Sequence, residues 1–565
     1  MWSLMSNALV TNSLYVNAER KVARLDFNHD YPTSVVAFFN SPDVQELVGL
    51  FLKNEGAAVS NSFESLSAKD YLAVFAKVMI DDATVYDQFS KEEILASLER
   101  FYSFYRSLLR VSVIKADNNH ILGQEFKQID RRFNELVLRS YRMLEEKLQG
   151  FANRTFRQVS AGTDASLLVR HHVWAAPEKY AALNQFDFID KVMLRPPLLM
   201  HTISNKRKGL FTAVDYNPID HFNGKPGEWY CYPAKIGETL AFIYFQLDYL
   251  VNGLALANLF ELAPKEDVIG HKPDVILLFG VPETEGMVSH YHHDEQNGIW
   301  VGEVPYTDDT TYFGYMKKMC LTLHNLHQIN HGLLPIHGSM VRIRFKNGKQ
   351  KTVVFFGDSG AGKSESIEAL QEVADDQIIA VDTIFDDMGS FRVRSDGQVV
   401  AQGTETGAFV RLDDLSSSVA FNNMDRGVFL NPERKNARVI IPAAPYAEVV
   451  AEHEIDMWLY ANNYDDGVGV HFFDDEASAK EVFIAGKRKA LGTTDEVGMT
   501  TTFFANPFGP VQEETLTRPV IDKVFTALFK QGVPVGEIYT HLGNDKSPKA
   551  LHDSARALLK DLMEK

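Results

Sequence analysis

The feature that most constrains this chain is a loop of small residues between an apolar run and a helix-like run. The apolar run covers 353–356 and the helix-like run covers 365–370. The loop consists of Gly357, Asp358, Ser359, Gly360, Ala361, Gly362, Lys363 and Ser364. It fits the pattern G-x-x-x-x-G-K-[ST] between a strand and a helix, in which backbone N–H groups and a helix N-terminus surround phosphate oxygens. The loop therefore predicts a nucleotide-phosphate site, where Lys363 reaches the β- and γ-phosphates and Ser364 ligates Mg²⁺.

Composition limits the partners and the compartment. The 565 residues include 45% hydrophobic and 23% charged residues, which is typical of two or three globular domains. The formal net charge of −18 opposes binding to nucleic acid or to an acidic membrane surface. Cys231 and Cys320 are too few for a disulfide framework, and the first residues lack the pattern of a signal peptide. The apolar run 236–262 contains Glu238 and Asp248, which favour a buried helix over a membrane span. We expect a cytoplasmic protein with no membrane or nucleic-acid partner.

Apolar spacing divides the chain into regions with different predicted secondary structure. Residues 1–195 look mainly helical, with a capping box that begins at Ser90 and an amphipathic pattern over 126–151. This region predicts a support, a surface for self-association or a surface for a protein partner. Short β-like runs dominate after it, and we divide them into 196–335 and 336–565. The pattern as a whole predicts an α/β protein with mixed sheets.

Several polar clusters admit two interpretations. The basic run 206–208 could face an anion, but a solvated loop is the commoner role of a charge run. The histidines of 290–293 lack a recognised metal-ligand spacing, so a polar loop is the favoured interpretation. His324, His327 and His331 share one helix face, and we interpret them as polar residues of a helix surface.

A hairpin and a strand are predicted on either side of the phosphate loop. Residues 341–345 and the Asn347-Gly348 turn predict a hairpin whose second strand enters the loop. Downstream, an apolar run ends in Asp382, the usual position of a carboxylate that meets the nucleotide's metal. Asp386 and Asp387 follow closely, so the assignment is not unique.

Six motifs occur in a fixed order between about residues 305 and 560. They are Tyr312-x-Gly-x-Met-Lys-Lys318, His337-Gly-Ser, the phosphate loop, Asp382, Asn436-Ala-Arg438 with Pro442, and Phe503-Phe-Ala-Asn-Pro-Phe508. In this order, and in the 19 positions from Lys318 to His337, the chain resembles the ATP-dependent phosphoenolpyruvate carboxykinase family, within the superfamily that includes HPr kinase. The resemblance implies a two-lobed P-loop fold, with a substrate lobe at 196–335, a nucleotide lobe at 336–565 and an added helical region at 1–195.

The resemblance also implies catalytic roles. Lys318, His337 and Asp382 match the protein ligands of the family's catalytic Mn²⁺, with the lysine ligating as a neutral amine. Such an amine requires a strongly lowered pKa. Lys363 would neutralise the phosphates, and Arg438 matches an arginine that contacts the transferred phosphoryl group.

Further implied roles concern the nucleotide and the reaction. Glu405 falls near an acid on the nucleotide side, and Lys549 falls near the base. In the family, oxaloacetate and ATP are converted to phosphoenolpyruvate, CO₂ and ADP, with Mn²⁺ at the catalytic ligands and Mg²⁺ on the nucleotide.

The sequence departs from the family in two places. The family's substrate arginine lies in Phe-Thr-Gly-Arg-Ser-Pro, whereas Phe211-Thr212 is followed here by Ala213, so Arg195, Arg207 or Lys208 would have to replace it. The phosphate loop is more similar to that of HPr kinase. We expect a carboxykinase-like phosphotransferase acting on oxaloacetate or a related small carboxylate. Two alternatives stay open: an HPr-kinase-like enzyme that phosphorylates a protein or small-molecule hydroxyl, and a nucleotide-binding regulatory module without turnover.

Overall fold

The structure is a computed structural model, and it describes residues 8–54, 62–116, 123–155, 160–283, 288–374, 377–412, 424–491, 497–544 and 548–564. Within these ranges the chain is an α/β protein with two large mixed sheets. No helix in the same ranges is both long and apolar enough to cross a membrane.

The strands of the first half are β1 (Ala8–Val10), β2 (Leu14–Asn17), β3 (Val22–Asp26), β4 (Leu109–Lys115), β5 (Ala165–His171), β6 (Asp187–Leu194), β7 (Leu198–Met200), β8 (Thr212–Ala213), β9 (Trp229–Ile236), β10 (Thr239–Gln246), β11 (Glu261–Leu262), β12 (Val275–Val281), β13 (His290–Asp294) and β14 (Ile299–Pro305). Those of the second half are β15 (Leu334–Phe345), β16 (Gln350–Phe356), β17 (Ile378–Phe385), β18 (Met388–Val393), β19 (Val399–Gly403), β20 (Gly407–Arg411), β21 (Val428–Leu430), β22 (Arg438–Pro442), β23 (His453–Glu454), β24 (Met457–Asn462), β25 (Val470–Phe472), β26 (Lys487–Leu491), β27 (Val497–Thr501) and β28 (Val535–Tyr539).

The α-helices are α1 (Val35–Phe39), α2 (Pro42–Asn54), α3 (Ala68–Met79), α4 (Lys91–Ser107), α5 (Gly123–Gln149), α6 (Leu250–Ala255), α7 (Lys265–Val268), α8 (Phe313–Asn330), α9 (Lys363–Val373), α10 (Tyr446–Val450), α11 (Glu476–Ala485), α12 (Glu514–Gln531) and α13 (Pro548–Glu564). The predicted capping box is present at the start of α4, where Ser90 and Glu93 satisfy each other's backbone N–H groups. The predicted amphipathic helix over 126–151 is confirmed as α5.

The first sheet runs β1-β2-β3-β4-β5-β6-β9-β10-β12-β14-β13-β8, with β11 beside β9. Alternate residues of β2 face opposite sides: Leu14 and Val16 pack under the helices α2 to α5, while Tyr15 packs into the central core. Because β6 pairs with β9 through Phe188 and Cys231, the strands of 1–195 continue the sheet of the next region. The N-terminal region is therefore joined to that sheet edge to edge, rather than added as helices alone.

The second sheet runs β23-β19-β18-β15-β16-β24-β28-β25, and β17 also pairs with β15. Its long strand β15 forms the predicted hairpin with β16, and Gly348 takes the positive φ of 84° in the turn. Two smaller sheets have the orders β20-β22-β21-β7 and β26-β27. Since β7 comes from the first half of the chain and β21 from the second, the four-stranded sheet ties the two halves together.

Three predictions about local structure were wrong. The histidines of 290–293 lie in strand β13, which pairs with β14, and not in a polar loop. The apolar run 236–262 is the central strand β10 followed by the short helix α6, not one buried helix. A central strand is covered on both faces, so it reads as a continuous apolar run with no strand period. The run before Asp382 does not end there, because β17 continues to Phe385.

Candidate functional site

The phosphate loop joins β16 to α9, as its pattern predicts. Gly357, Gly360 and Gly362 adopt positive φ angles of 152°, 79° and 104°, which glycine allows at no steric cost. The Lys363 side chain folds back over the loop, and its Nζ donates to the Gly357 carbonyl at 2.7 Å and to the Asp358 carbonyl at 3.3 Å. A cation is thus held inside the loop, at the start of a helix.

Neighbouring elements hold the loop in shape. The Asn463 amide donates to the Gly360 carbonyl at 3.0 Å, and the Thr540 hydroxyl donates to the Ala361 carbonyl at 2.8 Å. A Cβ on Gly362 would lie 2.7 Å from Thr540 Cβ. Arg488 Nε donates to the Asp358 carboxylate at 3.0 Å and its Nη1 to the Ser359 carbonyl at 2.9 Å. The loop is therefore preorganised from both sides.

A second cluster forms beside the loop around Asp387, between β17 and β18. The Asp387 carboxylate lies 2.7 Å from Lys317 Nζ, 3.1 Å from Lys318 Nζ and 3.0 Å from His337 Nε2. Both lysines come from the first turns of α8, and His337 comes from β15. Asp387 itself has φ 69°, an uncommon backbone conformation for this residue type, and its carbonyl accepts from the Gly338 N–H at 3.0 Å. A left-handed turn between two strands therefore brings the carboxylate to His337.

The two clusters are in contact through His337. Its carbonyl accepts from the Gly357 N–H at 3.0 Å, and its Nδ1 lies 3.5 Å from the Asp358 carboxylate. A Cβ on Gly338 would lie only 2.6 Å from the Phe355 carbonyl, so glycine is needed where β15 and β16 approach. The Asp387 cluster, which we name the Lys-His-Asp cluster, is thereby placed next to the phosphate loop.

The protonation of His337 bears on what the cluster can bind. Burial, reinforced by the charge of Lys363, lowers the pKa of His337, which favours the neutral imidazole. Its Nδ1 lies 2.9 Å from the Ala505 carbonyl. Phe504 and Ala505 both have positive φ, and this local backbone conformation orients the carbonyl. Because the carbonyl can only accept, it favours the Nδ1–H tautomer, whose Nε2 lone pair faces the Asp387 carboxylate. Because the Nε2 lone pair and the carboxylate are both electron donors, the position between them favours a cation.

The lysines differ in electrostatic environment. Burial acts to lower the pKa of Lys317. The carboxylates of Asp387 and Glu405, which lie 2.7 Å and 2.9 Å from its Nζ, have the larger effect and raise that pKa. Burial dominates at Lys318 and lowers its pKa, since it shares Asp387 with the Lys317 charge. Burial pushes the pKa of Asp387 upward, but the two ammonium groups hold it well below its usual range. Lys318 is therefore the lysine that gives up its proton more readily.

These donors fit a divalent metal. Lys318 Nζ lies 3.1 Å from Oδ2 of Asp387 and His337 Nε2 lies 3.0 Å from Oδ1, so the three side chains form the mixed nitrogen and oxygen set that suits Mn²⁺. Among the described residues, no group of three or more His, Cys, Asp or Glu side chains is arranged to hold a metal. A metal in this cluster would therefore depend on the lysine as its third protein ligand.

Two phenylalanine rings separate the cations of the site. Lys318 Nζ lies 4.3 Å from the centre of the Phe508 ring, and the Arg207 guanidinium lies 5.6 Å from the same centre. The Phe409 ring is shared in the same way by Lys317 at 5.5 Å and by the guanidinium of Arg438 at 5.6 Å. Ring faces attract cations, so the two rings permit a high local density of positive charge.

Two arginines therefore border the cluster. Arg438 begins β22, and its Nε is buried with no hydrogen-bond partner among the described residues. Arg207, in the basic run predicted as a solvated loop, is half-buried instead, and burial lowers its pKa. Asn205, just before it, is held by the Asn436 amide, which donates to the Asn205 carbonyl at 2.6 Å. The site thus carries a local excess of positive charge in an acidic protein.

Other predicted residues lie elsewhere. Asp382 sits opposite Arg342 on β15, five residues along the strand from His337, and pairs at the surface with Arg344 at 2.8 Å. The strand continues past Asp382, so its carboxylate never reaches the cluster, and Asp387 takes that place. Glu405 belongs with Lys317 in the Lys-His-Asp cluster rather than in the phosphate loop.

The remaining predicted residues keep their local positions. Ser364 is exposed in the first turn of α9, where a nucleotide-bound Mg²⁺ could reach it. Lys549 is exposed in the first turn of α13, a helix that packs on α9 through Leu551 and Ala369. Arg195 pairs with the buried Asp130 and is unavailable to the site.

Sequence reasoning named Asp387 only as an alternative to Asp382, and it gave Lys317, Phe409 and Phe508 no role in the site. The doubled acidic pair at 386–387 and the doubled lysine were visible signals, but a strand end is not readable from the sequence to within three residues. His324 was also misjudged: it is 2% exposed, and its Nδ1 lies 2.9 Å from the Thr239 hydroxyl.

No protein-family model matches the chain, and no curated protein matches it significantly.

Proposed function

We propose that this protein is an ATP-dependent phosphotransferase of the phosphoenolpyruvate carboxykinase type, acting on oxaloacetate or a related small carboxylate. The observation that carries the proposal is the contact between the phosphate loop and the Lys-His-Asp cluster through His337, whose Nδ1 lies 3.5 Å from Asp358 and whose Nε2 lies 3.0 Å from Asp387. A phosphoryl donor site and a metal-type donor set are adjacent, as phosphoryl transfer requires. The same proposal includes the two-lobed P-loop fold of that family.

Each residue has a proposed task. Lys363 and the loop N–H groups would hold the β- and γ-phosphates, and Ser364 would hold Mg²⁺ on them. Lys318, His337 and Asp387 would hold Mn²⁺, which when bound supplies Lewis-acid stabilisation of the negative charge that develops on the acceptor. Lys317 stays protonated between two carboxylates and keeps Asp387 ionised at the site.

The acceptor is proposed to be anionic because the site holds more cationic than acidic side chains. Arg207 and Arg438 border the cluster. The buried Nε of Arg438 has no hydrogen-bond partner among the described residues, and an acceptor oxygen would supply one. Arg207 is proposed to replace the substrate arginine that the family carries in its Phe-Thr-Gly-Arg-Ser-Pro element. Planar guanidinium groups pair well with carboxylates, and both would orient the acceptor toward the γ-phosphate.

The test is an assay of the purified protein with ATP, Mg²⁺ and Mn²⁺, with and without oxaloacetate, that follows phosphoenolpyruvate and ADP together. We expect equimolar products that depend on oxaloacetate, with activity lost in Lys363→Ala and Lys318→Ala. Asp382→Asn serves as the control and should retain full activity. Oxaloacetate-independent ADP, or no product in the wild type while ATP binds tightly, would overturn the proposal.

The HPr-kinase-like alternative rests on the sequence of the phosphate loop. Incubation with labelled ATP and a cell extract separates it from the first proposal, because only a protein kinase transfers label to a protein band. A labelled band that disappears with Lys363→Ala would favour this alternative.

A further inference from the structure

A cavity lies in the N-terminal region, between the strands β2 and β3 and the helices α1 to α5. None of its lining residues belongs to the Lys-His-Asp cluster or to the phosphate loop. Ten of its 23 lining residues are aromatic, among them Phe39 from α1, Phe75 from α3 and Phe133 from α5. Protein interiors are normally close-packed, so an apolar space of this kind is unusual in a folded domain.

Most polar groups on the wall are already satisfied by the protein. The Asp43 carboxylate accepts from the hydroxyls of Thr11 and Ser13, and the Tyr105 hydroxyl donates to the Gly162 carbonyl at 2.7 Å. Tyr102 differs, since its hydroxyl is buried with no hydrogen-bond partner among the described residues. A buried donor without a partner is unfavourable, so an acceptor within reach of the Tyr102 hydroxyl would be stabilised.

The size of the cavity limits the ligand. The cavity volume is about 90 Å³. At roughly 10–15 Å³ for each water position, this is room for about six to nine non-hydrogen atoms. The walls are too apolar to hold ordered water throughout, and comparable apolar cavities bind small hydrocarbons.

Charge on the wall limits the ligand further. Asp26 and Asp43 both line the cavity, and no lysine or arginine does so among the described residues. A carboxylate buried there would lose hydration and face two like charges. An uncharged group that accepts a hydrogen bond avoids both penalties.

We propose that this cavity is a binding site for a small uncharged apolar molecule, an aliphatic or aromatic body of about six to nine non-hydrogen atoms with one hydrogen-bond acceptor. The ligand lies among the aromatic side chains, and its acceptor takes the hydrogen bond of the Tyr102 hydroxyl. The site is separate from the phosphotransferase site, so the proposal does not depend on the proposed function.

Isothermal titration calorimetry of the full chain tests the site with three probes within this size limit: octan-1-ol, heptanoate and ethylbenzene. We expect octan-1-ol to bind at least about tenfold more tightly than heptanoate, because the two have the same number of non-hydrogen atoms and only the latter brings a charge. Tyr102→Phe should weaken octan-1-ol roughly three- to tenfold and leave ethylbenzene unchanged, since one neutral hydrogen bond is lost. Val137→Phe and Leu144→Phe each place a ring in the cavity and should abolish binding of both uncharged probes.

Controls separate the site from general hydrophobic association. Circular dichroism shows whether the filling variants are folded, and Lys318→Ala, remote from the cavity, should bind the probes as the wild type does. Failure of the wild type to bind octan-1-ol and ethylbenzene would overturn the proposal. So would binding that persists in folded Val137→Phe and Leu144→Phe, or equal affinities for octan-1-ol and heptanoate.

Discussion

Replacement of Asp387 by Asn tests the Lys-His-Asp cluster directly, and Asp382→Asn provides a matched control. Asp387 accepts from two ammonium groups and faces His337 Nε2 at 3.0 Å, with 23% of its side chain exposed. Removing one partner of a buried ion pair costs about 3–5 kcal/mol, and the partial exposure of Asp387 places it near the lower value. Asp382 and Arg344 are 41% and 51% exposed, so their pair is worth about 0.2–1 kcal/mol.

The free energy of unfolding, from urea titrations followed by circular dichroism, should therefore fall by about 3 kcal/mol in Asp387→Asn and by at most about 1 kcal/mol in Asp382→Asn. Mn²⁺ affinity, measured by electron paramagnetic resonance, should fall at least about 100-fold only in the former. Similar effects of the two substitutions, or a larger loss of Mn²⁺ binding in Asp382→Asn, would refute the assignment of Asp387.

The same variant has a distinctive pH dependence. Asp387 is the largest influence that raises the pKa of Lys318 against its burial, so Asp387→Asn lowers that pKa further below the unfolded value. Between the Lys318 pKa of the variant and that of the wild type, the variant's unfolded chain binds more protons than its native state. Its stability therefore rises with pH in that window, and the deficit relative to wild type should shrink. A deficit that grows as pH rises would contradict this electrostatic account.

Three further predictions concern other parts of the chain. Arg207→Gln should raise the KM for oxaloacetate about 10- to 100-fold with ATP affinity unchanged, since a charged hydrogen bond is worth about 1.5–3 kcal/mol. The control is Lys208→Gln, because the Lys208 ammonium pairs with Asp309 at the surface. Equal effects of the two substitutions on KM would count against a role for Arg207. Gly362→Ala should weaken ATP binding at least about tenfold by calorimetry, because its φ is 104° and the added Cβ meets Thr540, whereas Gly348→Ala, at φ 84° in open space, should not. Burial lowers the pKa of His324 to about 3, so below about pH 6.5 the unfolded chain takes up a proton that the native state refuses. From pH 7 to pH 5 this removes about 2 kcal/mol of wild-type stability, and His324→Leu, which leaves the Thr239 hydroxyl bonded to Gln328, should flatten that part of the profile.

The sequence by itself determined the local elements whose signals are short-range. The phosphate loop, the hairpin around Asn347-Gly348, the capping box at Ser90 and the amphipathic helix α5 all depend on residues within a few positions of one another. The family resemblance paired Lys318 with His337, and both side chains contact Asp387 in the structure. These features could be predicted without any knowledge of long-range packing.

Only the tertiary structure decided which carboxylate meets His337. Asp382 and Asp387 differ by five positions, and the choice depends on where β17 ends and on the left-handed turn that follows it. Arg207 is likewise brought to the site by contacts with Phe508 and by the Asn205 to Asn436 hydrogen bond, across more than 200 residues of chain. Strand ends, burial and cation–ring contacts arise from groups distant in sequence, so no local pattern encodes them.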